Sequence, residues 1–204
     1  MENKYRESNI DFIFPNDCEV IKFDNSQYYL NSFSRMPGGK GVDFIVNTKD
    51  YILLIEVKNC TGHEQENRHK TMAAGIKQTA AAADAVFAAA DNFDSEIPIK
   101  VAMSLSCLMG AHIKHSFSQN ALELEPYFQA VSSEDVCAQK KGIIVILVLE
   151  GDFENRTRSK EMIMQRIQSS IHAKLKWLAC KKVYVVDTNT YNGRYFSMSV
   201  VPTP

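Results

Sequence analysis

Two long apolar runs constrain the fold of this chain more than any other feature of its sequence. The first covers residues 51–59 and places Ile, Leu and Val on both faces, and the second, residues 142–149, is almost entirely Ile, Val and Leu. Runs of this length and β-branching are typical of central strands covered on both sides of a sheet. Residues 42–47 form a third predicted strand, and its connection to 51–59 is so short that the two should be antiparallel neighbours.

The rest of the first half of the chain predicts one hairpin, one loop and one long helix. Residues 19–23 and 27–30 are predicted strands joined by a polar turn. The segment 36–41, Met-Pro-Gly-Gly-Lys-Gly, is a predicted loop. Over residues 64–93, apolar side chains recur at spacings of three and four, which indicates a long helix with one core-facing stripe.

The end of the chain predicts a crossover and a hairpin. The strand at 142–149, a helix at 163–178 and a strand at 183–186 should form a right-handed parallel crossover. Asn192-Gly193 is a strong turn signal, and it predicts that residues 195–201 return as an edge strand in a C-terminal β-hairpin.

Length and composition describe an ordinary globular protein. Of the 204 residues, 45% are hydrophobic, and 23 basic side chains nearly balance 24 acidic ones to give a net charge of −1. The length favours a single domain over residues 1–204 that carries an insertion at about 95–141. This insertion is predicted to be mainly helical, with interruptions at Pro98 and Pro126.

No part of the sequence predicts secretion or a membrane span. The five cysteines are scattered, which argues against a disulfide framework, and the N-terminus lacks the apolar core of a signal peptide. The most apolar windows are shorter than the roughly 20 residues that cross a bilayer. We therefore expect a cytoplasmic protein without membrane association. The near-neutral charge also lacks the excess of Lys and Arg that nucleic-acid-binding proteins commonly carry.

Three charged residues stand in the otherwise apolar strands at 42–47 and 51–59. They are Asp43, Glu56 and Lys58. Burying a carboxylate is costly unless something pairs with it, so these groups need either one another or a bound cation. Because side chains alternate along a strand, Glu56 and Lys58 share one face and Val57 points to the other.

The length of the connecting loop decides whether Asp43 joins the other two charges. A two-residue loop places Asp43 diagonal to Glu56, and a four-residue loop places it directly opposite, with Cβ atoms about 4.5–5.5 Å apart. Either even length puts all three charges on one face. An odd length would send Asp43 to the opposite face and would end the argument for a shared site.

Two carboxylates beside a backbone carbonyl form an all-oxygen site suited to Mg²⁺, which commonly binds substrate phosphate as well. Such an ion lowers the pKa of a bound water, and a neighbouring lysine can orient that water and stabilise charge on phosphorus. The indicated substrate is a phosphodiester. An acid two residues before a lysine occurs about twice by chance in such a chain, and Glu2-Asn3-Lys4 is a second copy. The apolar strands around Asp43 and Glu56 therefore carry the argument.

With these residues the sequence resembles the PD-(D/E)xK nuclease superfamily, which has the restriction-endonuclease-like fold. The resemblance covers residues from about 18 to 94 and the strand at 143–149, and Val42 stands where the family has its proline. The resemblance implies a fold of the α/β class in which an α+β mixed sheet is built on an αβββαβ core. It also implies that Asp43, Glu56 and the Val57 carbonyl bind the metal and that Lys58 is the catalytic lysine.

The same resemblance implies further site residues and partners. A polar residue on the helix after the third strand corresponds to Gln78, or else to Lys77, and a glutamate of the first helix corresponds to Glu7. The implied protein is a Mg²⁺-dependent nuclease, with Mn²⁺ able to substitute, that acts on DNA rather than RNA in defence, restriction or repair. A homodimer is compatible with it, since double-strand cutting takes two sites.

Other interpretations of these residues stay open at the level of sequence. The charged residues could form a structural ion-pair cluster in a non-catalytic module that binds nucleic acid or protein. Cys60, His63 and His69 could supply three ligands to zinc in a zinc-stabilised binding protein. The alternative to zinc is a solvated loop in which Arg68 and Lys70 could meet phosphates. The glycine-rich loop at 36–41 is either a plain turn or a loop that touches the DNA backbone.

Overall fold

The computed structural model describes residues 3–72, 92–154 and 156–201. Within these residues the chain forms eight strands in two sheets. The strands are β1 (Asn3–Glu7), β2 (Ile10–Phe14), β3 (Glu19–Lys22), β4 (Phe44–Asn47), β5 (Tyr51–Asn59), β6 (Gly142–Glu150), β7 (Lys182–Val186) and β8 (Ser197–Val200).

The larger sheet is mixed and has the order β3-β4-β5-β6-β7. The first three strands are antiparallel neighbours, and β6 and β7 continue parallel to β5. All nine residues of β6 are buried, as are six of the nine in β5. The two apolar runs therefore form the central strands, as the sequence predicted, because their side chains enter hydrophobic clusters on both faces.

The described residues also form seven α-helices, most of them in the second half of the chain. They are α1 (Gln27–Asn31), α2 (Glu64–Asn67), α3 (Phe93–Lys114), α4 (Gln119–Leu122), α5 (Glu125–Val131), α6 (Glu134–Cys137) and α7 (Lys160–Lys174). Apolar side chains of α3, α5 and α7 join one hydrophobic cluster with one face of the mixed sheet. The helical character of residues 95–141 is thereby confirmed, as are the helix and the strand of the final crossover.

A small sheet, rather than helices, covers the other face of the mixed sheet. Its order is β1-β2-β8, and its apolar side chains form a second cluster with β4, β5 and β6. Aromatic rings fill the space between the sheets: the ring centroid of Phe12 lies 5.3 Å from that of Phe44 and 5.6 Å from that of Phe196. The protein is thus a mixed α+β structure with helices, a mixed sheet and an antiparallel sheet in successive layers.

Pro98 lies inside α3 and does not interrupt it. A proline has no N–H, so the carbonyl of Asp94, four residues earlier, loses its usual helical donor. The Lys174 ammonium of α7 donates to that carbonyl at 2.8 Å instead. Asp94 and Glu96 in the first turn also favour the helix through its dipole. The predicted break at Pro98 is therefore wrong, because a neighbouring helix satisfies the freed carbonyl.

The predicted hairpin over residues 19–30 is half wrong. Residues Glu19–Lys22 form β3, but Gln27–Asn31 is a helix. Ser26 begins this helix as its N-cap, with its hydroxyl accepting a hydrogen bond from the N–H of Tyr29. The polar residues Asp24, Asn25 and Ser26, which look like a hairpin turn in the sequence, therefore lead into helix α1.

The predicted C-terminal β-hairpin is also wrong. Gly193 makes a turn with φ of 71°, but the strand that follows, β8, pairs with β2 of the small sheet and not with β7. Phe196 explains why β8 pairs with β2, because the Phe196 ring is buried against Phe12 and Phe14 between the two sheets. Burial of this ring takes the chain to a different sheet.

Two helices expected near the N-terminal half also differ from the prediction. Residues 3–7, where the resemblance implies a first helix bearing Glu7, form strand β1. The predicted helix at 64–93 begins as the short α2 and a 3-10 turn at Arg68–Thr71. Most of its remaining length lies outside the described residues, and Phe93 begins α3. In the described part of the chain, no helix is both long and apolar enough to cross a membrane.

Truncating Phe12 tests the layer formed by the small sheet. Phe12 is fully buried between the sheets. We therefore expect Phe12→Ala to lower the free energy of unfolding by about 3–5 kcal/mol in urea titrations. Ile13→Ala is the matched control, because Ile13 lies on the same strand, is 37% exposed and faces away from that core; it should cost less than about 1 kcal/mol. Equal losses in the two variants would contradict this packing.

Candidate active site

The β4–β5 hairpin has a four-residue loop, and its ladder runs from the pair Asn47 with Ile52 to the pair Phe44 with Ile55. Asp43 directly precedes this ladder. Its N–H donates at 3.0 Å to the carbonyl of Ile55, the residue that Phe44 already faces, so the regular pairing ends before Asp43 meets Glu56. The loop length is even, and this part of the prediction is confirmed.

The three predicted charges share the face that the helices cover. Leu54 belongs to the helical-side cluster, and alternation along β5 puts Glu56 and Lys58 on the same side. Asp43 lines the same pocket as these two residues. Val57 belongs to the cluster under the small sheet, as predicted.

Glu56 lies at the centre of the site and is only 1% exposed. Its Oε1 accepts from the Lys58 ammonium at 2.9 Å and from the Lys100 ammonium at 2.5 Å. Its Oε2 is buried and has no hydrogen-bond partner among the described residues. Burial raises the pKa of Glu56, and the two lysines oppose this shift without cancelling it.

Asp43 is 7% exposed and is held by the backbone of the opposite strand. Its Oδ2 accepts a hydrogen bond from the N–H of Val57 at 2.6 Å. Burial, followed by repulsion from the Glu56 carboxylate, raises the pKa of Asp43 to about 8. A proton therefore occupies this carboxyl at neutral pH when no cation is bound.

Helix α3 brings two charged residues to the site that the sequence did not single out. Glu96 Oε1 lies 2.9 Å from Lys58 Nζ, and Lys100 contacts Glu56. Burial alone would lower the pKa of Lys58, but the carboxylates of Glu56 and Glu96 outweigh it, so the pKa is raised and the ammonium stays charged.

The spacing of Glu96 and Lys100 is the signal that could have revealed them. Residues four apart share one face of a helix. Because Pro98 indicates an interrupted helix, the sequence pattern alone does not place Glu96 and Lys100 on one helix face. A helix that begins at Phe93 puts both residues one and two turns from its start, over the end of β5.

Glu7 reaches the same pocket from strand β1. Its Oε2 pairs with the Lys22 ammonium at 2.7 Å, and its Oε1 accepts from the Ser8 hydroxyl at 2.7 Å. Burial would raise the pKa of Glu7, but the hydrogen bond from Lys22 lowers it, and the net shift is downward. The ionised Glu7 carboxylate thus lines the site, and its charge is paired with that of Lys22. Gln78 and Lys77 lie outside the described residues.

The site opens into a polar cleft made of two adjoining pockets. A pocket of about 320 Å³ exposes Asp43, Glu56 and Lys58, and it extends to Lys70. A second pocket of about 330 Å³ shares Lys100 with the first; Asp24, Tyr29, Lys40, Gly41 and Glu96 also line it. The glycine-rich loop therefore borders the cleft at one end, and Lys70 borders it at the other.

The predicted zinc ligands Cys60, His63 and His69 do not converge in this structure. Cys60 is buried, and His63 Nδ1 pairs with Glu66 on the exposed helix α2 at 3.2 Å. Among the described residues, the side chains that do bring three ligand atoms within 4.8 Å of one another belong to a different part of the fold.

A family model described as a family of unknown function (DUF6661) matches residues 26–200. The chain belongs to the DUF6661 family. No curated protein and no solved structure matches the chain. The DUF6661 match contains the β4–β5 hairpin and α3, so Asp43, Glu56 and Lys100 lie in the family region and Glu7 lies outside it.

Removing the Asp43 carboxyl should stabilise the cation-free protein at higher pH. Below about pH 4 this group is protonated in both folded and unfolded states. Between about pH 4 and pH 8 the unfolded state loses the proton that the folded state retains, so stability falls as pH rises. In EDTA we expect the stability gain of Asp43→Asn to grow by about 1 kcal/mol or more from pH 5 to pH 8, measured by urea unfolding. Asp50→Asn, in the exposed β4–β5 loop, controls for loss of a carboxylate; a gain that shrinks over this range would contradict the account.

Proposed function

We propose that this DUF6661 protein is a Mg²⁺-dependent nuclease that hydrolyses phosphodiester bonds in DNA. The observation that carries the proposal is the buried Oε2 of Glu56, which has no partner among the described residues, in a side chain that lines the same pocket as Asp43. An unpaired carboxylate oxygen in this position is costly in an isolated protein, and a divalent cation would satisfy it.

The balance of charge in the site supports a cation. Three carboxylates, those of Asp43, Glu56 and Glu96, face the ammonium groups of Lys58 and Lys100. Among these five groups one negative charge is left over, and because the pKa of Asp43 is raised to about 8, a proton on Asp43 balances it near pH 7. A divalent ion that displaces this proton restores both carboxylates to their charged form.

The residues present fit a hard cation that prefers oxygen. Asp43 and Glu56 are the proposed ligands, with the Val57 carbonyl as the third, and such a site retains waters and takes a phosphate oxygen. When bound, Mg²⁺ acidifies a water and offsets charge on the phosphate. Lys58, whose ammonium is fixed between Glu56 and Glu96, orients the attacking water and stabilises negative charge that develops on the phosphoryl oxygens.

The topology around the site supports the same proposal. Along the chain the antiparallel strands β3, β4 and β5 precede α3, and the parallel strand β6 comes later, an order compatible with the βββαβ part of the core that the resemblance implies. The helices α1, α2, α4, α5 and α6 lie between these elements. The difference lies at the start, where β1 and β2 stand in place of a first helix. Glu7 nevertheless occupies the pocket wall.

The cleft favours a strand of nucleic acid over a small molecule. It is open and polar, and lysines stand at both ends, with Lys40 on the glycine-rich loop and Lys70 beyond β5. A phosphodiester backbone that crosses the site would meet these lysines on either side of the bound ion. Since the overall charge is only −1, we expect this binding to depend on the metal and to weaken with added salt. A homodimer would supply two such sites for double-strand cutting.

A second candidate function follows from the lysines themselves. Lys58 and Lys100 both contact Oε1 of Glu56, so an ion-pair cluster could fix the hairpin and α3 without a metal. The protein would then be a non-catalytic module that binds nucleic acid or protein. Metal binding separates the two functions, because only the nuclease requires it.

Calorimetric titration with Mn²⁺ tests the metal site directly. We expect the wild-type protein to bind one ion at this site and to release a proton near neutral pH, since the ion displaces the proton of Asp43. Repeating the titration in two buffers with different ionisation enthalpies counts that proton. Asp43→Asn and Glu56→Gln should each weaken binding at least about tenfold, and Asp50→Asn should not. Equal binding by all four proteins would place the ion elsewhere.

Cleavage of plasmid and linear DNA tests the activity. With Mg²⁺ or Mn²⁺ the wild-type protein should cut DNA, and EDTA should stop it. Glu56→Gln and Lys58→Ala should each lower the rate at least about 100-fold, because Glu56 would hold the ion and Lys58 stabilises charge at the reacting phosphate. Lys49→Ala is the matched control, since this exposed lysine lies at the opposite end of the same hairpin. Cleavage that persists in Glu56→Gln would identify a contaminant or another site and would defeat the proposal.

A further inference from the structure

The far end of α3 carries a second cluster of metal-binding side chains. His112 lies in its last turn, His115 is its C-cap, and Glu125 begins α5. One ligand atom from each of the three lies within 4.8 Å of the other two. The cluster is partly exposed, with 33% of the His112 side chain and 21% of the Glu125 side chain accessible, so an ion can reach it from solvent.

This cluster is separate from the candidate active site. Lys100 and His112 are twelve residues apart on one helix, which corresponds to a rise of about 18 Å. Neither of the two pockets that form the cleft contains His112, His115 or Glu125.

We propose that His112, His115 and Glu125 bind one Zn²⁺ ion. Two imidazoles and one carboxylate are a ligand set that zinc accepts with a water in the fourth position, whereas Mg²⁺ prefers oxygen ligands alone. The ion would join the C-terminal end of α3 to the start of α5.

The surroundings already orient these ligands as metal sites require. His115 Nδ1 lies 2.5 Å from the carbonyl of His112, so Nδ1 carries the proton and Nε2 keeps a lone pair for the metal. The ring of Phe128 stacks on His112 at 3.9 Å between centroids, and Gln129 donates to Glu125 Oε1 at 2.6 Å. Each ligand side chain is thus held by a contact other than its bond to the ion.

A simple hydrogen bond explains only part of the cluster. His112 Nδ1 lies 3.0 Å from both oxygens of Glu125, which is a sufficient contact for a pair. It gives no role to His115, whose ring stacks parallel to His112 at 5.2 Å beside that pair. Zinc bonds of about 2.0–2.1 Å place tetrahedral ligand atoms about 3.4 Å apart. Side-chain rotations that move the ligand atoms of these partly exposed residues by up to about 1.4 Å would reduce their separation from at most 4.8 Å to about 3.4 Å.

The test is titration of the whole protein with Zn²⁺, and with Co²⁺ as a spectroscopic probe, in excess Mg²⁺. We expect one equivalent of Zn²⁺ to bind and to raise the melting temperature, and Co²⁺ to show the visible absorption of a four-coordinate nitrogen and oxygen site. His115→Ala should weaken binding at least about 100-fold. Glu125→Gln, which can still accept the hydrogen bond from His112, should also weaken it, so a loss there reflects metal binding rather than folding.

Two controls make the outcome unambiguous. His172→Ala removes an exposed histidine on α7 and should leave Zn²⁺ binding unchanged. Asp43→Asn should also bind Zn²⁺ normally, so that failure of the nuclease proposal and failure of the zinc proposal are separate results. Equal Zn²⁺ affinity in the wild type and His115→Ala, or no binding by either, would overturn the zinc site.

Discussion

The contacts of the buried Glu56 carboxylate hold this structure together. One oxygen accepts two ammonium groups, from Lys58 on the same strand and Lys100 on α3, while the other oxygen stays unpaired among the described residues. A carboxylate at this depth would be prohibitive without those cations, so the sheet and the helix must meet at this place. Asp43, directly before β4, is buried as well, and its pKa is raised to about 8, first by that burial and then by repulsion from the Glu56 carboxylate.

Packing in the helical layer positions α3 so that its Glu96 and Lys100 lie beside Lys58 and Glu56. Pro98 lies between Glu96 and Lys100 and removes a helical hydrogen bond, which Lys174 of α7 replaces at the Asp94 carbonyl. The Asp94 carboxylate is buried as well, and it pairs with Arg166 at 3.3 Å. Helix α7 therefore fixes the start of α3, and through it the positions of the charged groups above β5. A change in α7 should disturb the site without touching it.

The sequence alone predicts the charged residues at the centre of this site, but it does not predict Glu96 and Lys100, which α3 contributes. The charges of Asp43 and Glu56 stood out because apolar strands surround them, and parity restricted their geometry to two registers. Which register occurs depends on the turn at Thr48, whose side chain bonds to Tyr51, a detail that no periodicity reveals. Lys100 was missed because Pro98 suggested a broken helix, and only the tertiary contact to α7 shows otherwise. The C-terminal strand was misplaced for a similar reason, since burial of one aromatic ring outweighed a strong turn signal.

A crystal structure of the protein soaked with Mn²⁺ tests the central claim most directly, because anomalous scattering locates that ion without reference to activity. The account predicts one Mn²⁺ between Asp43 and the Oε2 of Glu56, with Lys58 still charged beside it. The account would be contradicted if no Mn²⁺ occupied this site at saturating concentration and both carboxylates kept their present partners. The cluster would then be a structural ion-pair network.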